Sequence, residues 1–350
     1  LAAPFEKPQR RPRYRGTHPR RFEQKYKELN PSKYPDTIQK VMDSGKTPAG
    51  THRPICVQEI MEILAPKAGE VAVDCTLGYG GHAERILPKL LPGGRLIGLD
   101  ADPIELPRTE ARLRGLGYGE DVLTIRRSNY AGLARLLADL GLSGVDIVLA
   151  DLGCSSMQLD NPARGFSFKL EGPLDLRMNP NRGQPASALL AKIDEATLIQ
   201  ILRENADEPH AERIALAIIQ ARSQRPIVTT TALSRIVSEA AGPASTRDAD
   251  ADEQNASVRR VFQALRIEVN DEFDALETFL RFLPGCLNLG GRVAILTFHS
   301  GEDRRVKKFF QAGLRDGLYS DIALKVIRPS PEEVRSNPRS SSAKLRWAVH

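Results

Sequence analysis

The chain is poor in cysteine and has no long apolar run. Its four cysteines, Cys56, Cys75, Cys154 and Cys286, lie far apart in 350 residues, and no two form a C-x-x-C pair. This argues against a disulfide framework or a zinc site, so no metal is expected, and a reducing compartment fits. No stretch approaches the ~18 apolar residues of a membrane span. There is no internal repeat. Acid is absent between Pro8 and Arg21, where Arg10, Arg11, Arg13, Arg15, Arg20 and Arg21 surround Tyr14. Residues 1–50 also lack a sustained apolar period, which leaves them as a basic arm without a core of its own. Two readings of the arm stand side by side. One is contact with nucleic-acid phosphates. The other is a solvated tail, or the remnant of an organellar transit peptide, since those are Arg-rich and acid-poor. The net charge of +6 leans toward a polyanionic partner.

What is present is a globular composition, 41% hydrophobic and 27% charged. The chain is organised around Asp74-Cys75-Thr76-Leu77-Gly78-Tyr79-Gly80-Gly81-His82-Ala83, between the apolar Val71-Ala72-Val73 and the helical pattern from Glu84 to Leu87. That is strand, glycine-rich turn, helix. Open α/β sheets bind nucleotide-like ligands at such turns, because glycine lets backbone and ligand approach closely.

Before the turn, apolar residues at 57, 60, 61 and 64 predict a helix that Pro66 ends. After it, Arg95–Asp100, Val122–Ile125 and Val145–Asp151 read as further strands, separated by helical stretches. This alternation predicts an α/β fold with a mostly parallel sheet covered on both faces. Ser156 to Gly183 is irregular, and a loop that long is usually functional or disordered. Three helices without strands follow, with apolar faces at Leu198/Ile201/Leu202, Ile214/Ala217/Ile218/Ala221 and Leu233/Ile236/Val237. The third is expected to be capped by Thr230 and closed by Gly242. Asp248 to Glu253 reads as a solvated acidic link. The α/β pattern resumes with one helix carrying Val261, Phe262, Leu265, Val269 and Phe273, then the strand Gly291–Phe298. Leu324–Ile327 and Lys344–Val349 are expected as a closing hairpin.

Two ligands compete for the glycine turn. Gly78-x-Gly80-x-x-Ala83 matches a dinucleotide fingerprint, which is weak alone. NAD would place a pyrophosphate at the helix N-terminus and an acid near its ribose. S-adenosylmethionine has no phosphate and carries a cationic sulfonium. Asp74, Asp100 and Asp151, one acid at the end of each of three strands, would repel a pyrophosphate and attract a sulfonium. Helix capping is the plainer role for any one of them.

The turn, together with Asp151-Leu152-Gly153-Cys154-Ser155-Ser156-Met157-Gln158-Leu159-Asp160, resembles the RsmH (MraW) family of bacterial 16S rRNA cytosine-N4 methyltransferases. So do Arg164–Phe168, Gly172–Met178, Phe262–Ile267 with Val269-Asn270, Phe298-His299-Ser300 with Glu302-Asp303-Arg304, and Asn337–Arg339 with Ser342–Arg346. The similarity runs from Thr51 to Ala348. It implies a class I S-adenosylmethionine-dependent methyltransferase, Rossmann-like with a seven-stranded sheet, interrupted by a helical substrate domain. The expected parts are an arm (1–50), the sheet domain (51–155), the insertion (156–255) and the sheet domain resumed (256–350). The family implies cofactor contacts at Gly80, Gly81, His82, Asp100, Tyr130, Asp151 and Gln158, with Tyr130 placed to stack on adenine.

For the reaction, Asp151, Ser155 and Ser156 are candidates to hold the N–H bonds of a cytosine amine, which is a poor nucleophile because its lone pair is delocalised. Arg164, Phe166, Phe168, Arg177, Arg266 and His299 mix cationic and aromatic groups of the kind that hold splayed RNA bases. Core packing is the plainer role for Phe166 and Phe168. Cys154 raises C5 methylation through a thiolate, but that needs an activated cysteine, and no cationic neighbour is evident. The resemblance implies small-subunit rRNA as partner, in an assembled or nearly assembled 30S-type subunit, and no membrane; a homodimer is left open. The bacterial cytoplasm is expected, with an organellar matrix or stroma as the alternative. A non-catalytic assembly factor that keeps the cofactor fold is the rival from another class. Two departures stand out: Ala256-Ser257-Val258-Arg259-Arg260 replaces the family's His-Pro-Ala-Thr-Arg, and the long basic arm is atypical.

Overall fold

The computed structural model describes residues 54–242 and 248–350. The basic arm and its expected role lie outside them. The first helix is α1 (Val57–Leu64), and Ala65 and Pro66 end it as expected. Then come β1 (Val71–Asp74), α2 (Gly81–Leu90), β2 (Arg95–Asp100), α3 (Leu106–Gly115), β3 (Leu123–Arg127), α4 (Leu133–Asp139), β4 (Val145–Asp151) and the short α5 (Ser156–Asp160). The helical stretch holds α6 (Ala186–Lys192), α7 (Glu195–Ala206), α8 (Ala211–Gln224), α9 (Thr230–Ala241) and α10 (Asp248–Val269). The chain closes with α11 (Glu272–Phe282), β5 (Leu287–Thr297), α12 (Ser300–Arg315), β6 (Asp321–Ile322), α13 (Pro331–Ser336) and β7 (Lys344–Val349).

The seven strands form one sheet in the order β3-β2-β1-β4-β5-β7-β6. The first five run parallel and β7 is antiparallel to both neighbours. This is the mostly parallel, seven-stranded class I methyltransferase sheet expected from sequence. Period-two alternation sorts its residues between two faces. Val73, Val148 and Ile295 pack with Leu133, Leu137, Leu276, Phe279 and Phe310 on one side. Ala72, Ile147, Leu149 and Ala294 pack with Ile60, Ile86, Leu87 and Leu113 on the other. Burial on both faces explains why the strands read as unbroken apolar runs. Each fully buried Leu, Ile or Phe contributes roughly 1.5–3 kcal/mol.

The closing hairpin begins earlier than expected. β6 pairs with β7 at Asp321 and Ile322, and only Ile327 of the expected strand bridges to Leu345. Leu324 turns out to solvent at 79% exposure, so the chain leaves the ladder there.

The helices from α6 to α10 have a separate core, with Leu190, Leu198, Leu202, Ile214, Ile218, Leu233, Val237 and Phe262. Four expectations are corrected here. Thr229, not Thr230, caps α9, accepting the N–H of Ala232; Thr230 instead donates its hydroxyl to the Leu170 carbonyl. The stretch expected as a link from Asp248 opens α10. That helix also crosses the expected boundary at 255/256, and its Val258, Val261, Phe262, Ala264 and Leu265 belong to the helical core. The single helix expected through Phe273 is two, because Asp271 takes a left-handed φ of 50° and starts α11 anew. The described helices include none long and apolar enough to cross a membrane.

Candidate active site

β1 and β4 are adjacent, with β2 beyond β1, so the strand order reverses at the centre of the sheet. Open α/β sheets place ligands at the carboxyl ends of strands around such a switch point. Asp74, Asp100 and Asp151 end β1, β2 and β4 at that edge. The glycine turn is stitched to both neighbouring strands. Cys75 N–H donates to the Leu149 carbonyl, Leu77 N–H to Leu99, and Asp151 N–H to Thr76 Oγ1 at 2.6 Å. Gly80 has φ +80°, and a Cβ there would lie 3.1 Å from Thr109 Cγ2 and Arg112 Nη2. Conformation and close approach both require glycine at this position.

Asp74 is buried, Asp100 and Asp151 are partly buried, and the acids perturb one another. Burial pushes Asp151 up to about 8, helped by Asp74 and Glu302. Burial also raises Asp74 to about 7, although Thr76 N–H stabilises its charge. Asp100 rises to about 6 for the same first reason; its oxygens accept the N–H groups of Gly78 at 2.7 Å and Asp102 at 2.8 Å. Asp151 Oδ2 lies 3.7 Å from His82 Nε2. Its Oδ1 is buried and has no hydrogen-bond partner among the described residues. A buried carboxylate oxygen without a donor is costly, and such a position fits a cationic or N–H-bearing ligand.

The remaining expected cofactor residues are differently engaged. Gly81 opens α2 against the Pro54 ring. Gln158 is buried: its Oε1 accepts Ser155 N–H, and its Nε2 donates to Asp102. Tyr130 meets Phe279 edge to face at 5.5 Å. Its hydroxyl is buried, which raises the phenol, and lies 3.5 Å from the Glu272 carbonyl. That ring is anchored in the sheet's core, and only its remaining, partly exposed surface is open to a base.

Ser155 caps α5 through a capping box: its Oγ accepts Gln158 N–H at 3.2 Å. Ser156 is the first residue of α5, just after β4. Of the expected RNA-contacting residues, two prove internal and a third partly so. Arg164 is buried, donating to Asp102 Oδ2 at 2.7 Å and to the carbonyls of Arg177 and Met178. Phe166 belongs to the helical core. Arg177 is held by both oxygens of Asp175 and donates to the Gly183 carbonyl. Arg164 and Phe166 brace the loop rather than offer it to RNA, a correction whose reason is that solvent hardly reaches them; Arg177 also braces the loop but stays partly exposed. Phe168 keeps partial exposure while its ring packs 5.5 Å from Phe262.

Arg266 and His299 form a second group beside the acids. Arg266 pairs with both oxygens of Glu272 at 2.8 Å, and its Nη1 lies 3.3 Å from Cys154 Sγ. His299 Nε2 is 3.3 Å from Glu302 Oε1, and its ring tilts over Phe273 at 5.7 Å. Burial alone would raise Glu302, but His299 and Arg266 hold it below the usual carboxylate range. Cys154 therefore has a cationic neighbour that spacing could not show. Burial nonetheless raises its thiol, and Arg266 offsets only part of this. Such a thiol is no activated nucleophile. Glu272, His299 and Glu302 approach closely enough to suggest a metal triad, but Arg266 already holds both Glu272 oxygens.

Sequence reasoning overlooked Asp102, and named Asn270 only within a resembling block, with no role. Asp102 is 1% exposed and receives Ile104 N–H, Gln158 and Arg164. Asn270 clamps the loop from the other side, through Met178 N–H and the Leu176 carbonyl. The one signal was Asp102-Pro103 directly after a strand, a helix-start pattern.

The family model described as the MraW methylase family matches residues 49–350. This chain belongs to that family. It is 54% identical to ribosomal RNA small subunit methyltransferase H 2 of Alkaliphilus metalliredigens, over 98% of each chain. It is 49% identical to ribosomal RNA small subunit methyltransferase H 1 of Lachnoclostridium phytofermentans, over 97% of this chain and 92% of the relative. Ribosomal RNA small subunit methyltransferase H of Heliobacterium modesticaldum is 41% identical over 85% of this chain and 97% of its own. Coverage of 97% or more requires most of residues 1–50 to be shared. The arm is thus shared with the first two relatives, whereas the third is matched over 97% of its own length and still leaves 15% of this chain uncovered, so an arm of this length is found in some members and not in others.

Proposed function

We propose that this protein transfers a methyl group from S-adenosylmethionine to the exocyclic N4 of a cytosine in small-subunit rRNA near the decoding centre. The bacterial cytoplasm is the proposed compartment, and an assembled or nearly assembled subunit the proposed substrate. The cofactor supplies an electrophilic methyl on a sulfonium. Asp100 would take the ribose hydroxyls, and Gly80, Gly81 and His82 would line its amino-acid end. Tyr130 would meet the adenine with its exposed surface, and Gln158 would act by fixing the start of α5. The observation that carries the reading is the buried Asp151 Oδ1 at the end of β4, which has no hydrogen-bond partner among the described residues. There it can accept an N–H of the target amine and favour the pyramidal form whose lone pair attacks in line. Positioning and electrostatics of this kind carry most of the rate in such transfers. Ser155 and Ser156, at the start of α5, would hold the second N–H. Phe168, Arg177, Arg266 and His299 remain as base-holding groups, and the cytosine must be presented out of its stack.

The test uses purified protein, tritiated-methyl S-adenosylmethionine and 30S subunits from cells lacking the modification, with naked rRNA as the second substrate. N4-methylcytidine should appear in nuclease digests, more on subunits than on naked RNA. No label, or label in C5-methylcytidine, would overturn the reading; no label alongside tight cofactor binding would favour a non-catalytic assembly factor.

The arm is proposed to lie on rRNA phosphates. Deleting residues 1–21 should then flatten the salt dependence of subunit binding, by roughly 0.7–0.9 in slope for each lost phosphate contact. An unchanged slope would leave the arm a tail.

A further inference from the structure

We infer that Asp102 is a positioning residue that ties the cofactor side of the site to the loop of residues 156–183, so that filling one tightens the other. This rests on the proposed methyl transfer. The path is continuous. Asp100 Oδ1 accepts the N–H of Asp102 at 2.8 Å, so the carboxyl proposed to meet the ribose shares its geometry with Asp102. Asp102 is itself 1% exposed, and its Oδ1 accepts Ile104 N–H at 2.8 Å. Its Oδ2 accepts both Gln158 Nε2 at 2.8 Å and Arg164 Nη1 at 2.7 Å. One buried oxygen therefore holds two points in the first part of the loop.

From there the path divides. Gln158 Oε1 receives Ser155 N–H, which places the candidate serines. Arg164 Nη2 reaches the carbonyls of Arg177 and Met178, near the loop's far end. Met178 N–H donates to Asn270 Oδ1 at 2.7 Å, and Asn270 Nδ2 donates to the carbonyls of Leu176 and Arg266. The Arg266 side chain stands beside Cys154. Low-dielectric networks of this kind move as units because no member can be left unpaired cheaply. A shift at Asp100 is thus passed to the loop through an unbroken run of hydrogen bonds, of which the two on Asp102 Oδ2 are fully buried. Effects on two ligands are reciprocal when they share such an element.

S-adenosylhomocysteine, the demethylated cofactor product, and 30S subunits are the probes. In the unaltered protein, saturating product should tighten subunit binding about five-fold or more. In Asp102→Asn and in Arg164→Lys the gain should fall below about two-fold, in protein whose unfolding midpoint shows it folded. A purely structural brace would lower the midpoint and leave the ratio intact. Hydrogen exchange on the unaltered protein keeps the test open if the variants do not fold: adding product should slow exchange at the amides of Leu176, Arg177 and Met178. Product that binds without changing these amides, or a ratio unchanged in folded variants, overturns the inference. Product that does not bind at all by calorimetry instead sinks the proposed function.

Discussion

Asp151→Asn should lower the single-turnover methylation rate by about two to three orders of magnitude, the usual cost of losing one pre-aimed polar contact to the reacting group. Asparagine keeps the shape and one acceptor oxygen but cannot take up the proton that the nitrogen must lose once the N–C bond has formed and the C–S bond has broken. The same change should not weaken the fold. Burial, Asp74 and Glu302 push the Asp151 carboxyl from 3.8 to about 8. An acid whose folded pKa is raised binds its proton more tightly when folded, so its ionisation costs stability as pH climbs from about 4 toward about 8. Asparagine removes that cost, and the unfolding midpoint at pH 8 should match or exceed the parent's. A rate within about three-fold of the parent, or a large drop in midpoint, would remove Asp151 from the proposed role. Ser155→Ala gives a useful contrast. It removes the cap of α5, a loss of about 1 kcal/mol, and should slow the reaction less.

The parts of this molecule legible in sequence were those governed by local periodicity. β1, β2 and β4 stand where the apolar runs end in acids, because strands buried on both faces leave little freedom in what their residues can be. The glycine turn was legible because Gly80 has no alternative at its φ. What escaped depends on which side chains meet across long separations. Arg164 reads as an RNA contact until Asp102, 62 positions earlier, is seen to hold it. Cys154 reads as isolated until Arg266, 112 positions later, comes within 3.3 Å. The boundary at 255/256 failed for a related reason. A helix carries the same apolar stripe whichever core receives it, so α10 could not reveal from sequence that Phe262 and Leu265 face the helical core. Thr229 and Thr230 differ as caps only in which hydroxyl reaches a free N–H.

Cofactor affinity should rise with pH, and rise more for S-adenosylmethionine than for its product. Asp74 and Asp151 are held by burial to about 7 and about 8, and Asp100 to about 6. A permanent sulfonium charge favours the ionised form of each nearby carboxyl, so binding must displace protons that the ligand-free protein holds. Below the raised pKa the displacement opposes binding; above it there is nothing left to displace. For one carboxyl near 8 the penalty approaches tenfold per pH unit on the acid side. The product has the same adenosine and amino-acid end but no sulfonium charge. The product is therefore the control that lacks the charge acting on the carboxyls, and the amine of each ligand is titrated separately, since the sulfonium lowers the amine's pKa in S-adenosylmethionine alone. The ratio of the two affinities should grow by about ten- to a hundred-fold between pH 6 and pH 8 and level off above about 8.5. Calorimetry in buffers of different ionisation enthalpy should show proton release on binding at pH 6.5 that vanishes near pH 9. In Asp151→Asn both the release and the slope should shrink. A ratio flat from pH 6 to pH 9 would mean that the sulfonium does not sit among these acids, and the placement of the methyl donor over β1 and β4 would have to be abandoned.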